Sequence, residues 1–500
     1  MTGARRHIFL LAFVVGLATL GTEIAAARLL APWFGASTIV WANTIATVLV
    51  ALSVGYWLGG RLADRDPTIG GLSRVVLAGG ALVAAVPYVA GPFLEISVDA
   101  LDRVEAGAAA GSLLAVLVLL AAPVLVLGCV APWALRLTLT ELDETGRTAG
   151  RLSAISTLGS LVGTFASALL LIPFLGTRRT FLVFALALCV VAVPGLARRW
   201  LGVVGAVLCV VLFALPTGVV KADGGRVLWE DETPYQYARV IEAPDGQRTL
   251  ELNEGQAVHS VLRPSRSPLT GDYWDEPLVL PAATLGREPR SVAILGGAAG
   301  TVARAFGMLM PETTVDSVEI DGELHDVGKR FFDLRGRRLR LHTADARPWL
   351  RRTGDRFELI YVDTYRQPYI PFYLATREFF ELARDRLAPG GVVIVNVGHP
   401  ESSDEIERAL SATMGDVFAH VVRDPAQPTN TQLMATNGPR PEPWRLAAAD
   451  LPAPLKETAR AAADRLQQPL SGGDVWTDDL APVEWVIDSS ILQVAANGER

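Results

Sequence analysis

Residues 291–300 read S-V-A-I-L-G-G-A-A-G, and residues 314–321 read T-V-D-S-V-E-I-D. Each contains a short run of β-formers, the first ending in glycines and the second in acids, and the gap between them fits one helix. This is how a parallel α/β sheet that binds a nucleotide begins. The glycine turn lets backbone approach a ligand, and an acid about 20 residues on can accept both hydroxyls of a ribose. Glu319 stands at that place.

Working outward, the alternation continues through R-L-H-T-A-D-A (340–346), F-E-L-I-Y-V-D (357–363) and G-V-V-I-V-N-V (391–397), with helices predicted near 300–310, 322–332 and 375–387. Buried strands alternating with helices predict a doubly wound parallel sheet, a Rossmann-like domain of the class I methyltransferase type over 290–440. Before it, residues 226–262 alternate apolar and polar around a P-D-G turn at 244–246, which predicts a small antiparallel β subdomain over 222–289. A tail from 441 to 500 follows, Ala- and Pro-rich at first and then T-D-D-L-A-P-V-E at 477–484.

The first 221 residues are of another kind. Half of all residues in the chain are apolar, and the surplus lies almost wholly before about residue 220. Apolar windows near the roughly 20 residues that cross a bilayer occur at about 8–31, 38–60, 72–94, 108–133, 152–174, 180–197 and 200–219. They predict a polytopic transmembrane domain of about seven helices. Arg5 and Arg6 precede the first window, whose length marks it as a retained helix and not a signal peptide. Arginine-rich turnings alternate with arginine-poor ones, which puts the amino terminus in the cytoplasm. Seven crossings would leave the second half outside, away from any nucleotide-type donor. Either one crossing is miscounted or the catalytic half lies outside; the expectation is a multi-pass membrane protein with its catalytic half in the cytoplasm.

Within these windows, Glu23 and Arg28 fit either a polar site or helix ends reaching the interface. Gly159 and Gly163 fit close helix packing. The stretch G-G-R-L-A-D-R at 59–65 is similar to a loop of major-facilitator transporters, which keeps transport or sensing as one alternative. A net charge of −7 without any basic block excludes a nucleic-acid partner. His259, His325, His342, His399 and His420 show no ligand spacing, so no metal site is expected.

Acids stand after the predicted strands at Glu319, Asp321, Asp345 and Asp363, where an open α/β sheet binds its ligand. Two classes share this plan: nicotinamide dehydrogenases and enzymes of adenosyl-sulfonium donors. The turn G-G-A-A-G lacks the interleaved G-x-G-x-x-G of the first class and favours the second.

The series Y-Q (Tyr235, Gln236), L-N-E-G-Q (252–256), L-G-G-A-A-G-T (295–301), V-E-I-D, T-A-D-A, Y-V-D and L-A-P-G-G (387–391) resembles the spermidine synthase family of aminopropyltransferases over about 228–436. The whole chain resembles its membrane-fused branch. The resemblance implies transfer of an aminopropyl group from decarboxylated S-adenosylmethionine to an amine. It implies that Gly296, Gly297 and Gly300 admit the donor, that Glu319 holds the ribose, and that Asp345, with Ala346 beside it, meets the adenine. Gln236 and Gln256 would line the site, Tyr235 and Tyr365 would contact substrate, and Asp363 would take a proton from the attacking amine.

The residues leave alternatives beside these roles. Asp345 could cap a helix, as could Asp363, although Pro368 and Pro371 follow it; Tyr361, Tyr365, Tyr369 and Tyr373 read as pocket wall. Intact S-adenosylmethionine and methyl transfer remain the second reading of the donor. Two departures matter. Ala299 stands where the family has an aspartate for the donor's ammonium, and Arg366 near its acceptor-binding aspartate. Asp478 and Asp479 in the tail are either a solvated turn or replacement carboxylates folded back over the site. The partners expected are an amine or polyamine, the lipid bilayer and a second copy of the chain.

Overall fold

A computed structural model describes residues 3–34, 38–104, 108–139, 145–215, 225–233, 235–252, 257–265, 267–365, 370–401, 403–487 and 489. The chain divides into two compact units, Met1–Gly218 and Val219–Arg500.

The first unit is helical. Six of its described helices are long and apolar enough to cross a bilayer: Gly3–Leu30, Val40–Arg65, Ile69–Leu94, Gly111–Thr138, Thr145–Leu171 and Thr177–Gly195. The seventh expected span is a helix of 16 residues, Arg199–Ala214, about 24 Å long against a hydrocarbon core of about 30 Å. The stretch at 59–65 continues the helix Thr38–Arg65 and is not a loop. Gly159 and Gly163 pack as small residues should, since a Cβ on either would run into the carbonyl oxygens of Phe13 and Leu17 on the first helix.

The second unit opens with a four-stranded antiparallel sheet, β1 (Arg226–Glu232), β2 (Tyr237–Glu242), β3 (Arg248–Leu252) and β4 (Ala257–Leu262), paired in chain order. The P-D-G turn joins β2 to β3, with Gly246 in the left-handed region and Asp245 accepting from the Gln247 N–H.

The second sheet has seven strands: β5 (Ser291–Leu295), β6 (Thr314–Glu319), β7 (Leu339–Thr343), β8 (Phe357–Val362), β9 (Leu387–Gly398), β10 (His420–Gln427) and β11 (Asn430–Thr436). They lie in the order β10-β11-β9-β8-β5-β6-β7. β5 to β9 pair in parallel, whereas β11 runs antiparallel to β9 and β10 antiparallel to β11. The sheet is therefore mixed and not wholly parallel as expected. Only two residues, Pro428 and Thr429, join β10 to β11, and so short a connection permits only an antiparallel pair. From β5 the chain winds one way through β6 and β7, and from β8 the other way through β9. The reversal between β5 and β8 opens a crevice beyond their carboxyl ends.

Candidate active site

The crevice begins at the glycine turn. Gly296 and Gly297 both donate to the Val318 carbonyl, at 2.9 and 3.1 Å, so the loop is bonded to the adjacent strand. Gly296 has φ +89°, and a Cβ there would overlap the carbonyl oxygen of Asp363. Only glycine lets the ends of β5 and β8 come this close.

The two alanines of the turn have separate surroundings. Ala298 holds φ +43°, unusual for a residue with a Cβ, and its N–H donates to Glu319 Oε2 at 2.8 Å. Ala299 donates to Ser260 Oγ at 3.0 Å, and its methyl is fully buried with Val240, Leu324, Val327 and Phe331. The expectation that Ala299 leaves a missing charge facing the donor is corrected: its side chain packs into an apolar cluster.

Glu319 ends β6 as a buried carboxylate that also accepts from the Asp321 N–H at 3.0 Å through Oε1. Burial pushes its pKa up, and the N–H donors pull the other way. A carboxylate can accept about four hydrogen bonds, so Glu319 retains acceptor capacity beyond the N–H groups that hold it. Next to it Asp321 caps the helix Gly322–Phe331 and accepts from Thr233 Oγ1 at 2.6 Å and Gln236 Nε2 at 3.4 Å. The β1–β2 turn is thereby tied to the end of β6, which brings Gln236 to the site. Tyr235 on that turn is exposed. Gln256 lies outside the described residues.

Asp345 caps the helix Ala346–Arg352 through the Arg347 N–H at 3.1 Å, and its other oxygen accepts from Tyr373 Oη at 3.0 Å. Ala346, buried, is the first residue of that helix.

Asp363 follows β8. Its Oδ1 accepts from Asn396 Nδ2 at 2.8 Å and its Oδ2 from Tyr361 Oη at 3.1 Å. Burial lifts its pKa to about 6 against the pull of these two donors. Unlike Asp345, Asp363 starts no helix. It faces a cavity of about 310 Å³, shared with Tyr273, Tyr365, Gly296 and Ala298. Tyr365 donates to the Asn396 carbonyl at 2.8 Å and accepts from the Gly398 N–H. Tyr369 and Arg366 lie outside the described residues. A carboxylate titrating near 6, walled by aromatic rings at the end of a strand, can take a proton from a bound amine.

The tail folds back on the same unit, but its acid has another use. Asp478 is held by both terminal nitrogens of Arg347, at 2.7 and 2.6 Å, and by Thr376 Oγ1 at 2.7 Å. The guanidinium holds its pKa below the usual carboxylate range. Asp478 is thus a clasp and not a free carboxylate turned to substrate, and Asp479 is exposed. Among the described residues, what the tail brings to the cavity is apolar: Ile487 is buried and lines it.

Three side chains at the site were not singled out from sequence as site residues: Asn396, Tyr273 and His259. Asn396 had a legible signal, an amide inside the apolar run V-V-I-V-N-V, where a buried polar group needs partners. It has them, accepting from Gln432 Nε2 at 2.8 Å and Asn430 Nδ2 at 3.1 Å.

Residues 275–433 match the spermine/spermidine synthase domain. A probable polyamine aminopropyl transferase of Bifidobacterium longum is 31% identical over 328 residues, covering 60% of this chain and 71% of that protein. The polyamine aminopropyltransferase of Vibrio vulnificus is 33% identical over 135 residues, 26% of this chain and 44% of that one. Among solved structures, a probable spermidine synthase from Corynebacterium glutamicum covers 50% of this chain and 96% of its own, at 20% identity and a TM-score of 0.38.

Proposed function

This chain belongs to the spermine/spermidine synthase family of polyamine aminopropyltransferases and is a transferase, and we propose that it moves an aminopropyl group from decarboxylated S-adenosylmethionine to an amine, releasing 5'-methylthioadenosine. The observation that carries this reading is Asp363, a buried strand-end carboxylate with a pKa of about 6 facing a cavity beside the glycine turn.

In this reading Gly296, Gly297 and Gly300 admit the donor, Glu319 accepts the ribose hydroxyls, and Asp345 and Ala346 meet the adenine. The acceptor enters as an ammonium ion and gives a proton to Asp363. The freed lone pair attacks the methylene carbon beside the sulfonium. The N–C bond forms as the C–S bond breaks, both electrons of the latter going to sulfur, and the proton passes from Asp363 to solvent. Holding the two reactants in line supplies several kcal/mol of the acceleration, and the base adds a factor of about 10² to 10⁴.

The six apolar helices support a multi-pass membrane protein. An even number of crossings returns the chain to the side of its amino terminus, where Arg5 and Arg6 favour the cytoplasm. The catalytic part, residues 290–440 with the sheet before it and the tail after it, then meets the donor where nucleotides are made.

The test is product analysis with the full chain in detergent, given each donor and a panel of amines. Methylthioadenosine from the decarboxylated donor is expected. Asp363→Asn should keep the affinity for methylthioadenosine and cut turnover about a hundredfold. S-adenosylhomocysteine from the intact donor would overturn the reading in favour of methyl transfer.

A further inference from the structure

Resting on the reading that Asp345 meets the donor's adenine, the surroundings of that carboxylate bear on how the base is selected. Asp345 lies just beyond β7, and Ile320 just beyond β6, the neighbouring strand. The Ala344 N–H donates to the Glu319 carbonyl at 3.0 Å, so the two strand ends stay bonded up to these residues. Ile320 is exposed, an apolar side chain at the carboxyl end of the sheet that a planar base would take out of water.

Both oxygens of Asp345 are held from the protein side. Its Oδ1 accepts from the Arg347 N–H at 3.1 Å and its Oδ2 from Tyr373 Oη at 3.0 Å. One such bond alone would leave the carboxylate free to turn about its Cβ–Cγ bond, a soft torsion; the two together fix its plane. Tyr373 is anchored in turn, because Arg347 Nη1 donates to its carbonyl at 2.9 Å and Leu374 beside it is buried. Asp345 and Tyr373 are only half-buried, so a ligand can reach them.

A carboxylate accepts about four hydrogen bonds. Asp345 therefore keeps acceptor capacity, aimed in directions that the two bonds set. The 6-amino group of adenine brings N–H donors to such an oxygen. A 6-oxo group, as in hypoxanthine, brings another acceptor, and two acceptors facing each other leave both without a donor. A carboxylate free to turn could accept from the neighbouring N1–H of hypoxanthine instead, and one held at both oxygens cannot.

We propose that Tyr373 is a positioning residue for the donor's base: by locking Asp345 it makes the site select a 6-aminopurine over a 6-oxopurine.

Calorimetry on the full chain in detergent compares 5'-methylthioadenosine with 5'-methylthioinosine, which differ only at this edge of the base. The parent should bind the adenine ligand at least about tenfold more tightly. Tyr373→Phe, which removes one oxygen and keeps the ring, should lower that ratio by about three- to tenfold, the worth of one hydrogen bond. A merely structural loss would weaken both ligands alike, and because the ratio is internal to each variant, partial loss of stability does not disturb it. Asp345→Asn, whose amide can donate to a 6-oxo group, should also narrow the ratio. If Asp345→Asn moves the ratio and Tyr373→Phe does not, the role of Tyr373 is overturned and Asp345 stays at the adenine. If neither moves it, or the parent shows no preference, the proposal falls with the placing of Asp345 against the base. No binding of methylthioadenosine to the parent overturns the donor reading itself.

Discussion

Asn396 Nδ2 lies 2.8 Å from Asp363 Oδ1, joining the ends of two adjacent parallel strands, β8 and β9. The amide is itself held from behind by Gln432 and Asn430, so it can only present its N–H₂ to the carboxylate. The bond favours the charged form of Asp363, and burial opposes it, leaving a pKa of about 6. The base form exists above that value, so kcat/KM should fall as pH drops through about 6. Asn396→Leu removes a donor to the charged form and should move this acid limb upward by about one pH unit, since a charged hydrogen bond is worth about 1.5–3 kcal/mol and one pKa unit is about 1.4. A pH–rate profile of the variant with an unmoved limb would show that another group is the base.

Glu319, which the proposed reading sets against a ribose, also braces the glycine turn. It accepts from Ala298 N–H and Asp321 N–H, and in Glu319→Gln one of these donors must face an amide N–H₂. Affinity for methylthioadenosine should fall by about 2 kcal/mol, the scale of a charge-assisted hydrogen bond. Calorimetry reads this directly, and unchanged affinity would remove Glu319 from the donor site.

At Ala299 the structure reverses what the turn suggests. A carboxylate placed there would enter the cluster of Val240, Leu324, Val327 and Phe331, where an unpaired charge is expelled or neutralised. Ala299→Asp should therefore destabilise the domain by several kcal/mol and weaken donor use. Thermal unfolding of the variant checks this, and a better enzyme of unchanged stability would mean that the side chain faces the donor after all.

The parallel strands β5, β6, β8 and β9 were legible because apolar runs with polar ends leave one arrangement that buries both faces, and the edge strand β7 was placed by its position in the alternation. The β10–β11 hairpin was not, since H-V-V-R-D-P-A-Q carries a proline and charges that read as loop. Asp363 could be found by its place after a strand and Asn396 by an amide inside an apolar run, whereas Tyr273 and His259, which share the cavity, come from distant segments. The seventh helix shows the limit of hydropathy: apolar composition was plain, but its described length falls short of a span. Asp478 misled for a related reason, as the arginine that claims it lies 131 residues earlier.

That last pair governs the tail. Arg347 is largely buried and Asp478 nearly half exposed, at 11% and 44% of their side-chain areas, so solvent screens the bidentate contact and a double-mutant cycle with Arg347→Met and Asp478→Asn should give a coupling of about 1 kcal/mol. Because Asp478 titrates below its unfolded value, the clasp contributes in full above about pH 4 and is lost as pH falls through the lowered pKa. Trp476, buried two residues before it, carries more, and Trp476→Ala should cost about 3–5 kcal/mol. Ile487, nine residues after Asp478, lines the Asp363 cavity that the proposed reading gives to the acceptor. Asp478→Asn should then raise KM for the acceptor with donor affinity unchanged, and by the same factor for a monoamine as for a diamine, because the residue anchors the wall and does not meet the substrate's charge. A rise confined to diamines would instead put the Asp478 carboxylate against the acceptor itself.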